Sequence, residues 1–328
     1  GKKQMVNFIF NGSVPTVMFL GILFAFFATC FCTAKFYPLL PKDIGRDFAH
    51  DGKLSAGKPR GAGFIFILVF AASGLIFARL SGELVIYIIL VGAAMMMGFL
   101  DDASKVPWGE YKKGFLDFVI AAMVAVTFLN YNSNKVEIMI TGTSITIPVI
   151  LFGILTVVLV WASINVTNCS DGVDGLSGTL TLVTIISIYI IDIIKGNNDD
   201  FSYLILLFAV CILGYLWFNA TPSKLMMGDA GSRAMGLFIS IAVLKTGSPF
   251  LYLLVALVLI LDGGLGLLKV SLLRFLKIRI LKNVRTPLHD HVRKVWGWSN
   301  TQTVFRFTII QIVVSMAAVY LTIIRMVS

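Results

Sequence analysis

Four groups of polar residues stand at the ends of apolar runs, and their side chains are those that handle phosphates and hard metal ions. Asp101-Asp102 closes the run Met95–Leu100. Asn165 to Leu176, with the pattern NxxNxxDGxDGL, lies between two long apolar runs. Gly228-Asp229-Ala230-Gly231-Ser232 precedes another, and His289-Asp290-His291 follows Thr286-Pro287 in the most basic stretch of the chain. Polar groups at the mouth of a membrane helix are costly and mark function by default. Gly172 and Gly175 each follow an aspartate, which suits a tight turn that aims carboxylates and backbone N–H groups at a ligand. Paired carboxylates repel and want a cation; Lys105, three residues after Asp102, is one partner. Asp229 falls at a helix N-terminus, as a cap or beside an anion site. His289 and His291 diverge on a helix and share a face when extended. Beside Arg285 and Arg293 they suit phosphate contact or acid–base work. Each motif alone also reads as a cap, a turn or a solvated pair.

Taken together, carboxylates without cysteine ligands suit Mg2+ or Mn2+ over zinc. A hard cation among lysines, arginines and Gly-rich turns suits phosphoryl transfer. Asp262-Gly263-Gly264 falls inside an apolar run and suggests a kinked or broken helix. Lys269, two turns on, reads as the partner of Asp262 or as a phosphate ligand. The four cysteines, Cys30, Cys32, Cys169 and Cys211, lack CxxC spacing and read as buried thiols.

The elements that must position these groups are membrane spans. The chain has 328 residues, 58% hydrophobic and 13% charged, against roughly 25% charged in soluble domains. Apolar runs near the ~20 residues needed to cross a bilayer recur throughout. This predicts an all-α polytopic membrane protein in a single domain, residues 1–328, and excludes one soluble core. The ten expected spans are 14–34, 61–80, 83–100, 115–130, 148–164, 176–194, 201–218, 233–244, 250–273 (interrupted at Asp262) and 303–324. Residues 135–147 alternate around Thr141-Gly142-Thr143 and predict a short surface β-hairpin. Gly1-Lys2-Lys3-Gln4 precedes the first span without a small-residue cleavage pattern, which reads as no cleavable leader.

Charge sets the expected orientation. Lys35, Lys42, Arg46, Lys53, Lys58 and Arg60 follow the first span, Lys105, Lys112 and Lys113 the third, and seven basic residues from Arg274 to Lys294 the ninth. The alternate loops hold little beyond Arg79, Lys135, Lys195 and Lys245. Both termini and the hairpin are therefore expected outside, and all four polar motifs on the cytoplasmic face. The net charge of +10 fits an anionic leaflet and anionic substrates. His50, in the first basic loop, is assigned no role.

These motifs, with Trp217-Phe218-Asn219 ahead of Pro222 and with Pro287-Leu288-His289-Asp290-His291 followed by Gly297-Trp298, resemble the polyprenyl-phosphate N-acetylhexosamine-1-phosphate transferases. The resemblance spans nearly the whole chain and is strongest to the branch that serves bacterial peptidoglycan and cell-wall synthesis. It implies transfer of phospho-MurNAc-pentapeptide from UDP-MurNAc-pentapeptide to undecaprenyl phosphate, giving lipid I and UMP, at the inner face of the cytoplasmic membrane. It implies Mg2+, or Mn2+, held by Asp229. Asp101 and Asp102 would lie near the phosphates, one of them acting on the attacking lipid phosphate, with His289 and His291 close by. Asp171, Gly172, Val173 and Asp174 would line the uridine and diphosphate site, with Asn165, Asn168 and Asn219 as further polar contacts. Lys105 joins this set as a substrate contact, and Met226 stands where the family carries an aromatic over uracil. Membrane lipid is an expected partner, a homodimer is admitted, and no nucleic acid is implied. The chain departs from the family at Asp290, in place of a middle histidine, and at Ser55–Gly63, which leans toward relatives using UDP-GlcNAc. It also departs on the fourth span, where Val119 stands near the place of an expected lysine. A UDP-GlcNAc-dependent transferase is the alternative; an ion-coupled transporter built on Asp262 is a remote one.

Overall fold

The computed structural model describes residues 13–45, 55–197 and 199–327. Arg46, His50 and Lys53 of the first basic loop lie outside the described residues. Helices dominate: α1 Val14–Phe36, α2 Gly63–Phe77, α3 Gly82–Asp102 and α4 Glu110–Tyr131 precede a two-stranded hairpin, β1 Lys135–Ile138 and β2 Thr143–Thr146. Helices α5 Val149–Cys169, α6 Leu176–Ile194, α7 Asp200–Asn219 and α8 Gly228–Lys245 follow. The expected ninth span is two segments, α9 Pro249–Val255 and α10 Leu257–Leu276, at 73° to each other. A short helix α11, Leu288–Lys294, and the long α12, Asn300–Val327, complete the chain.

Local chemistry sets several boundaries. Ser81 Oγ accepts the Leu84 N–H at 3.3 Å and caps α3, and Asp199 caps α7 by accepting from Phe201 and Ser202. The strands pair antiparallel with Lys135 opposite Thr146 and Ile138 opposite Thr143, as the alternation predicts.

Among the described residues seven helices are long and apolar enough to cross a membrane, eight if the bent pair counts as one span. Two of the ten expected spans, α2 and α8, fall outside that count. Helix α2 has 15 residues, and α8 carries Asp229, Arg233 and Lys245. Helix α8 tolerates those charges because it is the axis of the bundle: every residue from Gly228 to Leu244 is buried, with α3 and α5 packed along it. The outer helices keep apolar side chains exposed, such as Phe19, Phe27 and Phe31 on α1 and Ile150 and Ile154 on α5. Such a coat suits hydrocarbon. Of the cysteines only Cys211 is buried; Cys30, Cys32 and Cys169 are half-buried, and all four are free.

The break in the expected ninth span lies earlier than Asp262-Gly263-Gly264 suggests. The chain turns at Ala256, and Ile260–Gly264 is a π-helical turn. The hairpin end of the bundle is pinned by Lys245 on Glu83 at 3.1 Å, Lys195 on Glu137 at 2.6 Å and Arg325 on the carbonyl of Met139 at 3.0 Å.

At the other end, α2 and α3 approach the first turn of α8 through glycine. A methyl group on Gly63 would collide with the backbone of Gly231, and one on Gly98 with the backbone of Asp229. Gly98→Ala is expected to cost about 1–3 kcal/mol by forcing α3 off α8. Gly92→Ala, whose added methyl meets nothing within 4 Å, should cost nothing. Thermal unfolding in detergent compares the two; equal midpoints would contradict the close approach.

Candidate active site

At the end of the bundle opposite the hairpin, one carboxylate gathers three cations. Asp229 Oδ1 lies 3.3 Å from Arg60, and Oδ2 lies 3.2 Å from Lys113 and 3.4 Å from Arg233 Nε. Arg60 comes from the segment before α2, Lys113 from the first turn of α4, and Arg233 from the second turn of α8. Each cation brings further acids. Arg60 pairs with Asp102 at 2.8 Å and Asp43 at 3.2 Å, Lys113 pairs with Asp101, and Arg233 pairs with Asp117 at 2.6 Å. Five carboxylates facing three cations leave a formal charge of −2. Burial works against the charge on Arg60, yet Asp102, Asp229 and Asp43 outweigh it and hold the guanidinium pKa above its usual value.

Asp102 has a second task. Helix α8 has no side-chain cap of its own, so its first N–H groups need partners from elsewhere. Asp102 supplies them from α3, accepting from the N–H of Asp229 at 3.1 Å and of Ala230 at 3.1 Å. The expected pairing of Asp102 with Lys105 does not form. Helix α3 ends at Asp102 and Lys105 is exposed on the following turn, while both Asp102 oxygens are already engaged.

The cavity beside Asp229 has a volume of about 420 Å3. Of the residues singled out in the sequence, Asn168, Asp171, Gly172, Val173, Asp174, Asn219, Met226 and Asp229 line it. Helix α5 runs to Cys169, five residues past its expected end, so the loop proper is Ser170–Gly175. That loop is held from several sides. Ser177 Oγ donates to Asp171 at 2.6 Å. Asn219 accepts the Gly175 N–H at 2.7 Å and donates to the Leu225 carbonyl at 2.9 Å. Lys58 lies 3.7 Å from Asp174, and Ser232 donates to Asn168 at 2.6 Å. Met226 forms backbone bonds with Pro59 and Ala62, which fixes Arg60 across from Asp229.

Six candidate site residues lie off the cavity wall: Asp101, Asp102, Lys105, Asn165, His289 and His291. Asn165, inside α5, donates to Asp117 at 3.2 Å and so supports Arg233. His289 is buried, with Nδ1 2.8 Å from Asp262 and its ring against Gly172. Its own N–H also donates to Asp262 at 2.7 Å. Asp262 therefore pairs with His289 and not with Lys269, whose ammonium donates to the carbonyls of Leu281 and Val284. His291 sits on the same short helix and faces another way, accepting the Arg285 N–H at 3.2 Å and stacking edge-on with Trp296. Asp101 borders a small recess beside the cavity, which it shares with Lys113, Asp117 and Arg233.

Lys113, Arg233 and Asp117 are functional candidates that the motifs did not supply. Helix α4 begins at Glu110 and not at Phe115, so Lys112 and Lys113 both lie on it, and Lys113 is the one that reaches Asp229. Asp117 is an acid inside an apolar helix, a signal readable from sequence. Arg293 donates to Asp290 at 2.7 Å and to the Gly172 carbonyl at 3.4 Å, which gives Asp290 a local partner.

Among the described residues no three His, Cys, Asp or Glu side chains converge to hold a metal by themselves. The donor set nonetheless fits a hard cation: it is all oxygen and carries excess negative charge. Mg2+ takes one or two carboxylates and completes its shell with water and substrate phosphate. Asp102→Ala, which strips the N-terminus of α8 of its acceptors, is expected to lower stability by about 1–3 kcal/mol. An unchanged thermal midpoint in detergent would remove the capping role.

Comparison with known proteins places this arrangement. Residues 84–247 match the family described as Glycosyl transferase family 4. The chain is 41% identical over 317 residues to the phospho-N-acetylmuramoyl-pentapeptide-transferase of Treponema pallidum strain Nichols, covering 91% of this chain and 87% of that one. The enzymes of the same name from Symbiobacterium thermophilum and Clostridioides difficile are 30% and 26% identical. They cover 77% and 89% of this chain, and 78% and 94% of their own lengths. The chain belongs to glycosyl transferase family 4 and, within it, to the phospho-N-acetylmuramoyl-pentapeptide-transferases.

Proposed function

We propose that this protein transfers phospho-MurNAc-pentapeptide from UDP-MurNAc-pentapeptide to undecaprenyl phosphate, releasing UMP and leaving lipid I in the membrane. The observation that carries the reading is Asp229, held among Arg60, Lys113 and Arg233 at a cavity walled by the Asp171–Asp174 loop. The names of its relatives support the same donor. An oxygen of the lipid phosphate attacks the sugar-bound phosphorus of the donor. The bond from that phosphorus to the bridging oxygen breaks, and UMP leaves with the electron pair. Little of this is covalent work for the protein, which supplies position and fixed charge. Lys58, Arg60, Lys113 and Arg293 offer that charge around the cavity. Asp102 is committed to α8, so Asp101, tied to Lys113 and to the Trp108 N–H at 2.7 Å, is the carboxylate of the pair suited to take a proton from the lipid phosphate. His289, locked by Asp262, fixes the wall behind Gly172.

Asp229 would hold Mg2+ or Mn2+, with Asp101 nearby. The ion would supply charge neutralisation between the donor phosphates. The site lies at the end of the bundle that carries the basic loops, which supports a cytoplasmic active site, outward termini and a periplasmic hairpin. In that reading α2, α8 and the bent ninth helix each count as a crossing, ten in all. The acid on which a transporter would rest, Asp262, is occupied by His289.

UDP-MurNAc-pentapeptide and UDP-GlcNAc, offered in parallel with undecaprenyl phosphate, separate the two donor readings. UMP release is expected from the first alone, and is lost with chelator and restored by Mg2+ or Mn2+; release from UDP-GlcNAc alone would reassign the donor. Asp229→Asn should lower turnover by about a hundredfold or more while the protein stays monodisperse in detergent. Near-normal UMP release by that variant would remove Asp229 from the mechanism.

A further inference from the structure

The bend in the expected ninth span has a specific cause. In an unbroken helix the Val258 N–H would donate to the Leu254 carbonyl four residues back. Here Gln311 of α12 stands between them. Its Oε1 accepts from Val258 N–H at 2.8 Å, and its Nε2 donates to the Leu254 carbonyl at 3.0 Å. The second Nε2 proton goes to Ser315 Oγ at 3.0 Å. The primary amide thus replaces one helical rung with two bonds of its own, and it does so while fully buried. The next freed carbonyl, that of Val255, accepts from Thr184 Oγ1 at 2.7 Å. Neither proline nor glycine lies at Ala256, where the axis turns, so the inserted side chain accounts for the bend.

The consequence reaches the active site. Helix α10 begins its course at the bend and delivers Asp262 to His289 within two turns. Beyond that point, from Leu265 to Leu276, none of its residues is buried. Leu268, Val270, Leu273, Phe275 and Leu276 are exposed. The bend therefore fixes the course on which this stretch, apolar except for Lys269 and Arg274, leaves the site.

We infer that Gln311 is a positioning residue for the lipid substrate: its amide holds α10 at the angle that presents this stretch to the prenyl chain. The lipid part of this inference rests on the proposed transferase reading, and the bend does not.

Spin labels at Phe250→Cys and Phe275→Cys, with the four native cysteines replaced, report the bend directly. Gln311→Leu removes both amide bonds and lets Val258 bond Leu254 again; straightening a 73° bend should lengthen the label distance by roughly 5 Å at 1.5 Å rise per residue. The same substitution should raise the KM for undecaprenyl phosphate by about tenfold and leave the KM for the UDP-linked donor unchanged. Gln311→Glu, which as a neutral acid keeps one acceptor and one donor at the same reach, should restore both. An unchanged label distance or an unchanged lipid KM in Gln311→Leu overturns the inference. If the parent protein itself releases no UMP, the transferase reading fails, while the label distance still tests the clip.

Discussion

The site depends on one carboxylate kept charged in a buried place. Asp229 is only 6% exposed, and an unpaired charge there would cost several kcal/mol. Three cations prevent that, and each arrives on a different segment of the chain. The ion pairs are therefore also a statement about tertiary structure: Arg233 comes from the next turn of α8 itself, but Arg60 and Lys113 reach Asp229 only if the segment before α2 and the start of α4 meet the start of α8. The excess of acid over base in the network leaves an electrostatic place for a divalent cation. The cations ready the same spot for phosphate.

Such closeness needs a rigid frame. Helix α8 supplies it by being buried along nearly its whole length, which is unusual for a helix that starts with an aspartate and an arginine. Gly63 and Gly98 let two neighbours press against its first turn, and Asp102 satisfies the N–H groups that this turn leaves open. One acid therefore serves the helix end while its neighbour Asp101 pairs with Lys113 and the Trp108 N–H. Sequence adjacency gave the two equal standing, and geometry separates them.

Much was legible beforehand. The polar motifs stand out because charge at the mouth of an apolar helix is expensive, and seven of their residues line one cavity, together with Asn219 and Met226. The hairpin followed from alternation. What stayed hidden depended on partners distant in the chain. Lys105 was the nearest base to Asp102 in sequence, but Arg60, from the far side of α2, occupies it. Lys269 was the helical neighbour of Asp262, but His289 takes that place. Lys113 was read as one of several loop cations because the start of α4 could not be located from hydropathy alone. The bend moved from the conspicuous Asp262-Gly263-Gly264 to Ala256, because its cause is a glutamine on another helix and leaves no mark in the local sequence. Asp117 is different: an acid inside an apolar span is a signal that the local sequence itself carries.

The claim that acids from separate helices form one cation-and-phosphate site is tested most directly by an anomalous-scattering map of crystals grown with UMP and Mn2+. A manganese peak is expected about 2–2.5 Å from the Asp229 carboxylate, with the UMP phosphate beside Arg60 and Lys113 and the nucleoside toward the Asp171–Asp174 loop. UMP bound elsewhere, or manganese remote from Asp229 with the nucleotide in place, would contradict the account.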